Sequence, residues 1–239
     1  MRLTLFLFAY LLTSVTRAEV IEEIVVTGSY VESSPPAQRV VRKADNLLLK
    51  VHVTNDARDE QQRKSEIHET LLSAISAASK VKNIELSSVT PNGFVLPLNK
   101  SNYRIDLTRG NRPDTNQAYF RVKTKIQGSG DNPEVLLSNM KRFVASLKMK
   151  GRTLAEPEGD VEVSIINPGQ YRPQVIELMA ADVKQVTSAL GPDYRVVLTG
   201  IDRPAQWSRL GSTDVVIFVP YEYIVLPTSV SSFNVSPDY

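Results

Sequence analysis

Apolar and polar residues alternate along the chain with two distinct periods. Over residues 47–53, Leu47, Leu49, Val51 and Val53 alternate with Leu48, Lys50 and His52, the two-residue period of a half-buried strand. Thr54-Asn55-Asp56 then offers capping chemistry for a helix. Up to about residue 79, Ile67, Leu71, Ala74, Ile75 and Ala78 recur at helical spacing, with Arg63, Lys64, Glu66 and Glu69 elsewhere. That predicts a long amphipathic helix. A strand over 84–89 is broken by Pro91-Asn92-Gly93. Strands over 103–107 and 119–126 are predicted to form a hairpin around the turn-rich Gly110-Asn111-Arg112-Pro113-Asp114. In the second of them Phe120, Val122, Thr124 and Ile126 point inward and Arg121, Lys123 and Lys125 outward.

Asn132 followed by Pro133 is a helix start, a capping side chain before a proline at the first helical position. Leu136, Met140, Phe143, Val144 and Leu147 mark the buried stripe of this helix, with Gly151 as its stop. A strand over 161–166 ends at Asn167-Pro168-Gly169, and Pro173 opens a third helix with Ile176, Met179, Val183, Val186 and Leu190 on one face. Strands over 194–198 and 213–225 are joined by a loop holding Pro204, Trp207 and Gly211. The order β-α-β-β-β-α-β-α-β-β predicts an α+β fold, with predominantly antiparallel sheets faced by three helices. It fills residues 45–226 as one domain or two subdomains, and the Ser- and Pro-containing residues 227–239 are expected to fray.

This order resembles the SIMPL domain family of exported bacterial proteins. The stretches that carry the likeness are Ala180 through Ala189-Leu190-Gly191, Tyr194-Arg195-Val196-Val197-Leu198, and Asp214-Val215-Val216-Ile217-Phe218-Val219, with the first strand and helix in the family's positions. The resemblance implies oligomerisation and a role in the cell envelope or its stress response. The end Pro220-Tyr221-Glu222-Tyr223 departs from the family pattern.

The N-terminus changes the compartment. In residues 1–18 a single Arg2 precedes an apolar run from Leu3 to Leu12, and Thr16-Arg17-Ala18 comes after it. The run is too short for a permanent span and predicts a cleaved secretory signal peptide, hence a periplasmic protein with no stable membrane insertion. Residues 19–44 are expected to form a flexible segment, with a linker at Ser33-Ser34-Pro35-Pro36. Within it Ile21-Glu22-Glu23-Ile24-Val25-Val26-Thr27-Gly28-Ser29 resembles the start of the plug domain of TonB-dependent outer-membrane receptors. Glu22, Glu23, Ile24, Val25, Val26, Thr27 and Gly28 are therefore candidates for docking an envelope protein by strand addition. An edge strand or an unstructured tail is the simpler expectation.

Composition narrows the chemistry. The chain has 239 residues, no cysteine and two histidines, which excludes disulfides, thiolate nucleophiles and Cys-ligated metals. His52 and His68 are expected to face solvent. Gly128-Ser129-Gly130 lacks the lysine of a phosphate loop, and no G-x-S-x-G occurs. Asp106, Glu162 and Asp202 are expected at the surface or in turns. No catalytic residue, cofactor or metal site is predicted.

Charge adds one feature. The net charge is +2 from 28 basic and 26 acidic residues, and removing Arg2 and Arg17 brings it to zero, which gives nucleic acid no positive field to bind. Within residues 101–152, however, 11 Lys/Arg face 4 Asp/Glu. Arg121, Lys123 and Lys125, with Lys141 and Arg142 on the next helix, are candidates for a basic contact face. Such a face could meet the acidic remainder of another copy head to tail. The expectation from sequence is a non-catalytic periplasmic SIMPL-like binding module, oligomeric in the envelope. The alternative is a TonB-system accessory protein.

Overall fold

The computed structural model describes residues 22–26, 37–128 and 131–230. The expected signal peptide, the Ser33–Pro36 linker, Thr27, Gly28, the centre of the Gly128-Ser129-Gly130 turn and residues 231–239 of the tail lie outside the described residues.

The chain runs β1 (Glu23–Val26), β2 (Val40–Lys43), β3 (Asn46–Asn55), α1 (Glu60–Ala78), β4 (Glu85–Val89), β5 (Val95–Pro97), β6 (Thr108–Arg109) and β7 (Asn116–Lys125). It continues through α2 (Pro133–Ala145), β8 (Thr153–Pro157), β9 (Glu162–Ile166), a 3-10 turn (Pro168–Tyr171) and α3 (Arg172–Leu190). It closes with β10 (Tyr194–Thr199), β11 (Gln206–Arg209), β12 (Asp214–Phe218) and β13 (Glu222–Pro227). All strand pairings are antiparallel, so the fold is α+β with three α-helices.

The main sheet is ordered β1-β9-β3-β7-β4-β5, with β6 on β7 and β8 on β3. β3 and β7 pair along their whole length, from Asn46 opposite Lys125 to Asn55 opposite Asn116. One face of this pair presents Leu47, Leu49, Val51, Val53, Ala118, Phe120 and Val122 to Ile67, Leu71 and Ala74 of α1 and Met140, Phe143 and Val144 of α2. These form the main core. The other face curls inward, because an isolated bridge joins Ile24 to Phe94 and the Val25 amide donates to the Gly93 carbonyl at 3.0 Å. The two ends of the strand path meet, and Val25, Leu48 and Val95 form a second buried cluster inside the curl.

A smaller sheet, β11-β12-β2, continues from β3. Val215 and Ile217 enter the main core, whereas Val40 and Val219 pack on Val175 and Met179 of α3. Asp45 fastens the joint: its carboxylate pairs with Arg42 at 2.7 Å and accepts from the Ile166 amide at 2.8 Å. β10 and β13 form a separate two-stranded ribbon beside α3.

Several expectations need correction. Residues 103–107 do not pair as a strand. β4 and β6 divide the free edge of β7 between them, and Tyr103, Ile105 and Leu107 pack on the core instead. The run over 213–225 splits at Pro220, which has no amide to donate, so β12 and β13 enter different sheets. The segment expected to be flexible contributes two strands, β1 and β2, each paired within the chain. The cap of α1 is Asp59, which accepts from the Gln62 amide, rather than Thr54–Asp56.

Gly151 is no helix stop, since α2 ends at Ala145. It turns the chain into β8 with φ +52, and a Cβ there would overlap the Glu66 carboxylate. That carboxylate accepts from Asn55 at 2.7 Å, from the Arg152 amide at 2.9 Å and from Gln62 at 2.8 Å. These bonds hold its pKa below the ordinary value, the Asn55 bond contributing most.

Gly151→Ala is expected to cost about 2 kcal/mol or more in urea unfolding, through left-handed strain and the clash with Glu66. Gly128→Ala, with nothing near its Cβ, should change stability by less than about 0.5 kcal/mol. The depressed Glu66 pKa gives stability that is present above its ordinary value of 4.5 and lost as pH falls through the lower folded value. Glu66→Gln should therefore flatten the acid limb of a stability–pH curve.

Candidate functional site

The face of the sheet turned away from the helices gathers a cluster of largely buried ion pairs. Alternation puts Lys123 and Arg121 of β7, Asn46, Lys50 and His52 of β3, Glu162 and Ser164 of β9, and Glu23 of β1 on that face. The Lys123 ammonium lies 2.9 Å from Glu23 and 3.1 Å from Glu85. The lysine and Glu23 side chains are only 12% and 11% exposed. Glu23 Oε1 also accepts from Asn46 at 2.8 Å and from Ser164 at 2.6 Å. Burial works against the Lys123 ammonium, but the hydrogen bonds and charges of Glu23 and Glu85 outweigh it and raise its pKa above the usual lysine value. Beside it the Arg121 Nε donates to Glu162 at 3.1 Å.

The five cations expected to share one contact face do not do so. Arg121, Lys123 and Lys125 project from the sheet face opposite the helices, while Lys141 and Arg142 belong to α2 on the other side. Arg121 and Lys123 are neutralised by carboxylates of their own chain, and Glu162 is a half-buried partner rather than a surface acid. Neither histidine simply faces solvent. His52 stacks on Tyr119 with ring centroids 4.8 Å apart and lies 3.3 Å from Glu158. His68 contacts the Ile105 carbonyl at 3.2 Å and meets Tyr103 edge-on.

Of the TonB-box-like residues, Ile24, Val25 and Val26 are buried and paired with Ile165, Ser164 and Val163. Glu22 gives its carbonyl to the Asn167 amide. Glu23 is held in the ionic cluster, so this segment forms a strand of its own sheet; a partner strand adding to its outer edge would have to displace the Gly93–Phe94 contact there.

Where β4 departs from β7 a cleft of about 580 Å³ opens, lined by Lys50, Ser88, Arg104, Asp106, Tyr119 and Arg121 among others. Lys50 lies 4.2 Å from the centre of the Tyr119 ring and 2.6 Å from Glu158. That ion pair holds the Glu158 pKa below the usual carboxylate range. With Lys50 and Arg121 already paired, Arg104 is the cation of this cleft left to a ligand among the described residues. The cleft went unread in the sequence, although Lys50 and Tyr119 both fall on polar faces of strands. Among the described residues no three His, Asp or Glu side chains gather to hold a metal ion, and no helix is long and apolar enough to cross a membrane.

A second feature is apolar. The ribbon pairs Leu198 with Tyr223, Val197 with Ile224 and Val196 with Val225, yet Tyr223, Ile224, Val225 and Tyr194 are exposed. No protein family, curated protein or solved structure matches the chain.

Glu23→Ala is expected to destabilise the fold by about 2 kcal/mol, because it leaves a largely buried ammonium with only the exposed Glu85 and takes the acceptor from Asn46 and Ser164. Pairing Glu23→Leu with Lys123→Met should recover most of that loss. The raised Lys123 pKa makes the pair's contribution present at neutral pH and lost as pH rises past 10.5 and Lys123 gives up its proton. Urea unfolding of the wild type and these two variants at neutral and alkaline pH measures both effects.

Proposed function

We propose that the protein is a non-catalytic periplasmic module of SIMPL-like build that works as an oligomer in the cell envelope, each copy joining the next through the β10–β13 ribbon. The ribbon carries this reading. Two strands alone are marginal in water; here β10 packs on α3, whereas β13 leaves Tyr223, Ile224 and Val225 exposed. Across β10 and β13 the charged positions are Arg195 and Glu222 alone, and the outer edge of neither strand is paired among the described residues. Natural edges are blunted by lysine, proline or a covering element. Here the only such device within the strands is Pro227 at the end of β13. A second copy supplies the missing strand and covers Tyr223, Ile224 and Val225 at once.

This contact differs from a head-to-tail assembly of charged faces, since Arg121 and Lys123 have internal partners. It is apolar and made through backbone, so it should be insensitive to screening. Light scattering coupled to gel filtration should give a dimer or larger species of equal mass at low and high salt. Ile224→Lys with Val225→Lys should yield a folded monomer. A wild-type monomer at both salt concentrations, or an oligomer that survives the double lysine variant, contradicts the reading.

A further inference from the structure

The turn after α1 and the exposed face of α2 enclose a cleft of about 370 Å³, a size typical of small-molecule sites. Leu136, Asn139, Phe143 and the capping Ser146 reach it from one side of α2, spaced three or four residues apart as a single helical face requires, and Arg142 flanks them. The chain turns opposite them through Asn83, which has a left-handed φ of 64. The floor is apolar: Ile84 and Phe143 are buried and Leu136 is half-buried. The rim carries two cations, Lys82 and Arg142, and the lining contains no carboxylate.

That imbalance sets the cleft apart from the ionic cluster on the sheet. On the sheet Lys50, Arg121 and Lys123 each have a carboxylate within 3.1 Å. Among the described residues Lys82 and Arg142 form no ion pair. The Arg142 guanidinium makes one side-chain contact, a 3.3 Å hydrogen bond to Asn139 Oδ1. An inorganic anion would answer the cations and leave the apolar floor uncovered. A neutral apolar molecule would do the reverse.

We infer that this cleft binds a small amphipathic organic anion, a single carboxylate or sulfonate on a hydrocarbon body. The body lies against Leu136 and Phe143, and the anionic group meets Arg142, whose planar fork matches a carboxylate, together with Lys82. The site is independent of the ribbon, because no cleft residue belongs to β10 or β13.

Isothermal titration of the full chain with octanoate, 1-octanol and octylammonium tests the inference. Octanoate should saturate one site at least about tenfold more tightly than either other probe. The double variant Lys82→Gln/Arg142→Gln should lose about tenfold in octanoate affinity, with unchanged Tm and unchanged octanol binding. Leu136→Ser, read the same way, should weaken octanoate and octanol together. Equal affinity for octanoate and octanol would overturn the inference, as would a double glutamine variant that still binds octanoate normally. Co-sedimentation with anionic phospholipid vesicles without octanoate binding would also overturn it, marking the patch as a membrane contact. The Ile224→Lys/Val225→Lys chain should bind octanoate as the wild type does. A loss of binding in that variant would contradict the independence of the two sites, whereas failure of assembly alone would leave this site standing.

Discussion

The pairing of β3 with β7 is the constraint on which the rest of the structure depends. Ten residues of each strand are matched in one register, and a slip by one would send every side chain to the opposite face. With β3 in place and β7 slipped, Phe120 and Val122 would leave α1 and α2, and Lys123 and Arg121 would be driven into the apolar core. β3 is held again along its other edge, by β8 over Val51–Asn55 and by β9 over Asn46–Leu48. Burial of Leu47, Leu49, Val51 and Val53 to 1% exposure or less results from that position at the centre of the sheet.

The same register organises the charges. The excess of cations in residues 101–152 looked like an outward-facing field, but much of its sheet component is spent within the chain. Arg121 reaches Glu162 on β9 and Lys123 reaches Glu23 on β1, both on the side of the sheet that the curl encloses. Buried pairs of this kind contribute little net stability against a hydrophobic replacement, but they penalise any arrangement that separates them. Here that penalty favours the closed curl, in which β1 lies beside β9 and touches the Gly93 turn. Lys82 and Arg142, which form no ion pair among the described residues, lie on the helix side and border the cleft between α2 and the turn after α1, where an apolar floor meets both of them.

What was legible in the sequence was local. Asn132-Pro133 caps α2 where expected, with Asn132 accepting from the Glu134 amide, and the spacing of Ile67, Leu71 and Ala74 identifies the buried side of α1. Alternation from Phe120 to Thr124 assigned the faces of β7 correctly. What escaped depended on distant partners. Nothing near Val40-Val41-Arg42-Lys43 marks it as a strand until Asp214–Ile217 lies beside it. Leu48 looked exposed by alternation, and only the approach of Val25 and Val95 buries it. The partner of Lys123 lies 100 residues away, beyond any local pattern. The clefts escaped for the same reason, since each joins segments from separate parts of the chain.

Glu23–Val26 completes the main sheet and supplies the counter-charge for Lys123, rather than serving as a free docking tail. Amide hydrogen exchange at neutral pH tests this most directly. The amides of Ile24, Val25 and Val26 should exchange as slowly as those in the centre of β3, and Glu23→Ala should accelerate them selectively. Exchange of these three amides at the rate of an unstructured peptide, with β3 still protected, would contradict it.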